Sequence, residues 1–378
     1  SSLRFLLPCV VVYFFSNFNF TRKATGCLLF VIPICAKKGT VGMVVYMEKQ
    51  NIIYPSLIDN LPSDNFLFSV VGSDNEHFYS VIMNHYINMS SYYSHQYNNY
   101  YSLYKDSYMW NQFKNLDVVY FSRAYVEKNV DQVFNLFRNL IFEGYCILSY
   151  INMFYIPLYK SSYHQNHVTH EIMLYGYDDE TQLFACQDYF SGIYEQGKVS
   201  AGDLLQAIKN YDETNYPDYS IGIVAIKRRE PCLTMSSPYI LRSKLIEEIE
   251  NDYYSTEYIC TGVGIFDAMK SVLTNDINTW RPDAFRRFFQ FLQDNVLLMS
   301  YRLKYLQSQY SISPSLFCLC DGLKQKCRIY HNMFLKIELK EKTLLVTKDI
   351  LKPEYIDYLE QLKMDYIFLL KNIIEQII

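Results

Sequence analysis

Between residues 164 and 194 the apolar and polar positions trace a hairpin. Residues 169–177 alternate, with Ile172 and Leu174 set against Met173 and Tyr175, the period of a strand. The polar run 178–181 is a turn, and 182–187 returns as the second strand. His170 opens one strand and Asp188 closes the other, so antiparallel pairing brings these ends together. A histidine whose second ring nitrogen is held by a carboxylate is a base in search of a nucleophile.

Upstream the pattern is mixed. Residues 52–55 and 61–62 are extended or turn-like, because the residue before proline avoids the helix. The short apolar run 64–71 predicts a strand. Residues 72–75 form a loop ending in good N-cap residues, and 76–89 predicts a helix with Phe78, Val81, Ile82 and Tyr86 on one face. Further strands are predicted at 116–121, 145–152 and 220–227. Helices are predicted at 130–143, closed by Gly144, and at 200–211. With no regular βαβ repeat, this is an α+β pattern with a mostly antiparallel sheet. After Pro231 the period turns helical, over 239–254, 262–273, 283–307 and 353–377. In 283–307 the residues Phe285, Phe288, Phe289, Leu292, Val296, Met299 and Leu303 form one stripe. Only 336–346 reads as extended there. The expected organisation is a mixed domain at 47–230 and an all-helical domain at 231–378.

Composition narrows the function classes. Hydrophobic residues make up 50% and charged residues 20%, enough for a packed core. The net charge of -4, without a basic run, argues against a nucleic-acid partner. The 17% of aromatics reads either as codon bias of an AT-rich genome or as a carbohydrate- or aromatic-binding surface. Ten cysteines without a regular spacing point to reduced thiols and a cytoplasmic address. Cys318, Cys320 and Cys327 lack the spacing of a zinc knuckle and read as helix and loop packing.

Residues 1–46 contain no Asp or Glu and hold two apolar runs, each shorter than the ~20 residues of a membrane span. The expectation is translated upstream sequence or a disordered leader. Lys37-Lys38-Gly39 is what a purine-rich ribosome-binding site yields when read as codons, with Met43 or Met47 as the start. On that reading there is no targeting segment and no membrane partner.

The run His170-Glu171-Ile172-Met173-Leu174-Tyr175-Gly176-Tyr177-Asp178-Asp179, followed by Phe184-Ala185-Cys186-Gln187-Asp188-Tyr189, resembles the second half of the butirosin biosynthesis protein H N-terminal family. That family is a branch of the papain-like cysteine enzymes, related to peptidases that trim bacteriocin leaders. Phe154-Tyr155-Ile156-Pro157 suits it as well. So do Trp280-Arg281-Pro282-Asp283 and Leu298-Met299-Ser300-Tyr301-Arg302-Leu303 in the tail. The resemblance covers about 54–227 well and the tail more loosely. It implies a papain-like fold and acyl chemistry in bacterial peptide or antibiotic biosynthesis, including nonribosomal peptides. The implied partner is an acyl or peptidyl carrier protein or a peptide substrate, with no cofactor. It also implies His170 as base, Asp188 as its orienter, and a cysteine nucleophile at the start of the first helix. There the helix dipole lowers a thiol pKa and free N–H groups make an oxyanion hole.

The chain departs from that pattern at the nucleophile. The predicted helix start is Ser73-Asp74-Asn75-Glu76-His77-Phe78-Tyr79-Ser80, and the cysteine slot falls on Glu76 or His77. Cys146 and Cys186 lie within strands and read as packing. Ser73 or Ser80 would attack poorly, since a hydroxyl stays protonated near neutral pH. Glu76 and His77 are therefore carried as acid or base candidates of a changed site, against a reading as plain first-turn residues. Three functions stay open. One is an acyltransferase or amidase with a non-standard nucleophile. The second is a degenerate member serving as scaffold or accessory factor. The third is a metal-dependent hydrolase using His164, His167 and His170, although on a strand His167 points away from the other two.

Overall fold

A computed structural model describes residues 27–35, 41–58, 62–92, 100–102, 110, 113–211, 221–232, 237–250, 259–275, 282–344 and 354–377. The strands are β1 (Cys27–Cys35), β2 (Val41–Gln50), β3 (Ser90–Tyr92), β4 (Tyr100–Ser102), β5 (Leu116–Ser122), β6 (Cys146–Asn152), β7 (Thr169–Asp178), β8 (Leu183–Tyr189), β9 (Tyr194–Ser200), β10 (Ile221–Arg228) and β11 (Ile259–Thr261). The helices are α1 (Pro62–Val71), α2 (Glu76–Asn84), α3 (Arg123–Lys128), α4 (Val130–Phe142), α5 (Ala201–Lys209), α6 (Pro238–Glu250), α7 (Gly264–Asn275), α8 (Pro282–Gln307), α9 (Pro314–Leu344) and α10 (Glu354–Gln376). The fold is α+β. Among these residues no helix is long and apolar enough to cross a membrane.

The main sheet has eight strands, and every described pairing in it is antiparallel. Its organising strand is β7. Residues 169–174 pair with β6 and 173–178 pair with β8. Residues 176–178 also pair with β2. A strand has two edges, so β2 and β6 lie end to end along the edge that β8 leaves open. Gly176 makes this junction possible. A Cβ there would stand 2.9 Å from the Lys49 carbonyl oxygen, closer than backbone tolerates. Asn51 then ties the end of β2 to the turn before β6. Its amide donates to the carbonyls of Tyr145 (2.7 Å) and Ile141 (3.2 Å). That turn closes α4 with Gly144 at φ 92°, where the Tyr145 N–H returns to Leu140 O and the Gly144 N–H to Ile141 O.

Both faces of the sheet are covered, so its central strands are apolar on both sides. Ile147, Ile151, Ile172, Leu174, Phe184, Cys186, Ile223 and Ala225 pack beneath α4 and α5. Cys146, Leu148, Met173, Tyr175, Ala185, Val224 and Ile226 belong to a second, larger core. That core takes in α1, α2 and the helices α6 to α10. It is therefore continuous across residue 230, the expected domain boundary.

Several predicted elements differ from those formed. Residues 64–71 are helical rather than extended. Phe66, Leu67, Phe68, Val70 and Val71 are all buried, and an apolar run buried all round carries no period that separates strand from helix. Pro62 at the first helical position was the usable signal. The helix predicted at 76–89 stops at Asn84, where His85 turns extended and Tyr86 takes φ 56°. Residues 336–344 continue α9 instead of forming a strand. Ile337 extends the buried stripe Leu316, Cys320, Leu323, Cys327 and Phe334 at helical spacing. Strand β9 had not been expected. Residues 27–35, within the expected leader, pair as a hairpin with 41–50, a strand that crosses the expected start at Met47 and continues onto β7 through residues 48–50. Residues 1–26 and 36–40 lie outside the described residues.

Arg302 on α8 joins the helical layer to α2. It is fully buried, and it donates to the carbonyls of Ile82 (2.8 Å) and Tyr86 at the end of α2. These are acceptors that a helix terminus leaves unpaired. Replacing Arg302 with Met is expected to cost about 3 kcal/mol or more, because buried carbonyls lose their donor. A urea titration checks this: the midpoint should fall while the slope stays unchanged.

Candidate functional site

His170 and Asp188 do come together. Asp188 is buried, accepts a hydrogen bond from the Tyr159 phenol, and stands 3.7 Å from Nε2 of His170. Burial raises the Asp188 carboxyl above its usual range, and His170 and Tyr159 oppose that rise. The Tyr159 phenol is pushed far up by burial and by Asp188. Nδ1 of His170 accepts the backbone N–H of Glu171 at 2.8 Å, which leaves the proton of the neutral ring on Nε2. At 3.7 Å the contact with Asp188 is electrostatic rather than a hydrogen bond.

The strand period then decides what this pair can reach. Along β7, residue 170 shares a face with Ile172 and Leu174. Along β8, residue 188 shares a face with Phe184 and Cys186. This is the layer of α4, α5, Tyr159 and Phe190. Helix α1 lies on the opposite face, where β7 and β8 present Glu171, Met173 and Gln187. Among the described residues, neither ring nitrogen of His170 bonds to a thiol or to a serine or threonine hydroxyl. Cys186 does share its face, but it is fully buried, and burial followed by Asp188 raises its thiol far above neutrality. Cys146, on the α1 face, is pushed up to about 12 by burial. A thiol held protonated is a poor nucleophile.

The expected helix start at Glu76 and His77 is not part of this arrangement. Asn75 caps α2 as predicted, accepting from the Phe78 N–H at 3.0 Å. Glu76 is exposed. His77 turns its Nε2 to the Arg229 carbonyl at 2.9 Å, with Glu230 3.8 Å away. Ser73 is exposed, and Ser80 Oγ accepts from the Asn115 amide. The helix over the hairpin is α1 rather than α2. Two of the three histidines of the metal reading pack on Phe154. His167 accepts from the Asn152 amide (3.0 Å) and stacks on Phe154, while His164 packs edge-on against the same ring. Among the described residues no group of three or more His, Cys, Asp or Glu could hold a metal ion.

The first turn of α1 instead carries buried polar groups that sequence reasoning missed. Asp64 accepts from the Tyr86 phenol at 3.0 Å, and its second oxygen is buried without a partner. Opposite it on β7, Glu171 accepts from the Tyr150 phenol at 2.8 Å. Burial lifts the Asp64 carboxyl to about 7, the Tyr86 bond opposes this, and the nearby Glu171 charge adds to it. Asn65 links Ser56 to the Tyr189 hydroxyl. Beside it opens a cleft of about 560 Å³, walled by 53–58 on one side and 192–196 on the other, with Asn65, Gln187 and Tyr194 in its lining. The one sequence signal for this site was Pro62-Ser63-Asp64-Asn65, a proline followed by residues suited to a helix N-terminus. Compared with known proteins, the chain matches no family model and no curated protein.

Asp64 makes stability depend on pH. Its carboxyl binds its proton more tightly in the folded chain, so its contribution is full below about pH 4 and is lost as pH rises through 7. Asp64→Asn removes this dependence. Between pH 4.5 and pH 8 the variant should gain stability relative to the parent by on the order of 3 kcal/mol, read from paired denaturation curves.

Proposed function

We propose that this protein is a papain-like relative of the butirosin biosynthesis protein H group that binds its partner without making or breaking bonds. It serves as an accessory factor in bacterial peptide or antibiotic biosynthesis, in the cytoplasm. The partner is a peptide or a carrier-borne acyl or peptidyl group. The observation that carries this reading is the division of the site across the sheet. His170 and Asp188 face the α4–α5 layer, while the helix that lies over the hairpin approaches Glu171 and Gln187. A base needs its nucleophile within about 2.6–3.2 Å, directly or through a water. The described thiol on the face of His170 is Cys186, held protonated in the core. An active acyltransferase or amidase would instead require a hydroxyl or thiol to reach His170.

Incubation with acyl-carrier thioesters and an amine acceptor separates the two. The expected result is acyl transfer no faster than the protein-free background, unchanged by His170→Ala. Transfer that depends on His170 overturns the reading.

A further inference from the structure

The cleft at the first turn of α1 contains a polar atom that nothing satisfies. Gln187 is 6% exposed, and its side-chain oxygen is buried with no hydrogen-bond partner, yet the residue lines the cleft. Leaving such a group unpaired is unfavourable, and since the oxygen as it stands has no accessible surface, a ligand gains by binding as the carboxamide turns toward the cleft. The neighbouring polar groups are already engaged, with Ser56 on Asn65 and Asn65 on Tyr189. Ile53, Leu57, Ile58 and Ile193 supply apolar walls. Ile193 is 70% exposed, an aliphatic side chain held out at the mouth. Glu195 is the one charged residue in the lining, so an anionic ligand meets repulsion and no cation.

We propose that this cleft takes an extended peptide segment with aliphatic side chains and an adjacent Lys or Arg, and that Gln187 reads one of its main-chain amides. A carboxamide and a peptide unit each carry one donor face and one acceptor face, so they pair through two hydrogen bonds. The peptide N–H donates to the Gln187 oxygen, and the Gln187 N–H donates to the peptide carbonyl. The apolar walls bury the aliphatic side chains, and Glu195 selects the basic residue at the rim. The inference rests on the reading of the protein as a binder and specifies what its cleft binds.

The test is a cellulose array of acetylated hexapeptides probed with the full chain. The expected result is retention of aliphatic sequences containing Lys or Arg, with loss of signal for Gln187→Leu and a shift toward Asp- or Glu-containing sequences for Glu195→Lys. The best peptide is then resynthesised with each amide in turn replaced by an ester. One position should weaken binding about tenfold and the others little, since a single N–H is read. Because this series uses the unaltered chain, it decides the matter even where Gln187→Leu does not fold. Retention of no peptide, enrichment of acidic peptides, or an ester series without a sensitive position overturns the proposal. His170-dependent acyl transfer would remove the non-catalytic reading by itself, and peptide retention is scored independently of it.

Discussion

The side chains of a strand point alternately to its two faces, and in this protein that alternation on β7 and β8 decides what the site can be. Both faces are buried, each against its own helices. Adjacent residues therefore belong to different compartments. His170 and Glu171 are neighbours in the chain, yet one meets Asp188 and Tyr159 while the other meets Tyr150 and lies close to Asp64. The same split separates Asp188 from Gln187. A one-residue change of register would exchange the two sets, which is why the pairings of Ile151 with His170 and of Met173 with Gln187 carry functional weight.

Each of the three buried carboxylates around the hairpin takes a tyrosine phenol: Asp64 with Tyr86, Glu171 with Tyr150, and Asp188 with Tyr159. A phenol gives a neutral donor at the end of a large apolar ring, so it satisfies a carboxyl without bringing a second charge into the core. Burial outweighs this help at Asp64 and Asp188, and both carboxyls stay above their usual range. Part of the high tyrosine content thus has a structural use here. The acids are held by hydrogen bonds in place of the cations that surface carboxylates find.

Much of the fold was legible where the chain has a clear period or clear punctuation. Strand β6 is buried at every position, the 283–307 stripe is core, and Ser200, Asn75 and Gly144 act at helix ends as their residue types suggest. Failures came where both periods fit. The run 66–71 is apolar but for Ser69 and buried all round, and 336–340 alternates charged and apolar residues while also continuing a helical stripe. The expected division at residue 230 does not coincide with a break in the packed core. A change from mixed to helical pattern marks a change in local structure, but packing joins α1 and α2 to the later helices, and Arg302 ties α8 to the end of α2 across more than 200 residues of chain.

From the sequence by itself came the α+β class, the hairpin, and the meeting of His170 with Asp188. These depend on local period and on the geometry of one antiparallel turn. Only the tertiary structure decided which helix covers the hairpin and which face of the hairpin it covers. That choice depends on how α1 and the C-terminal helices pack on the sheet, a non-local matter that no window of sequence contains. It moved the candidate site from the pair at His170 to the cleft at Asn65 and Gln187, one residue along each strand and on the other side of the sheet.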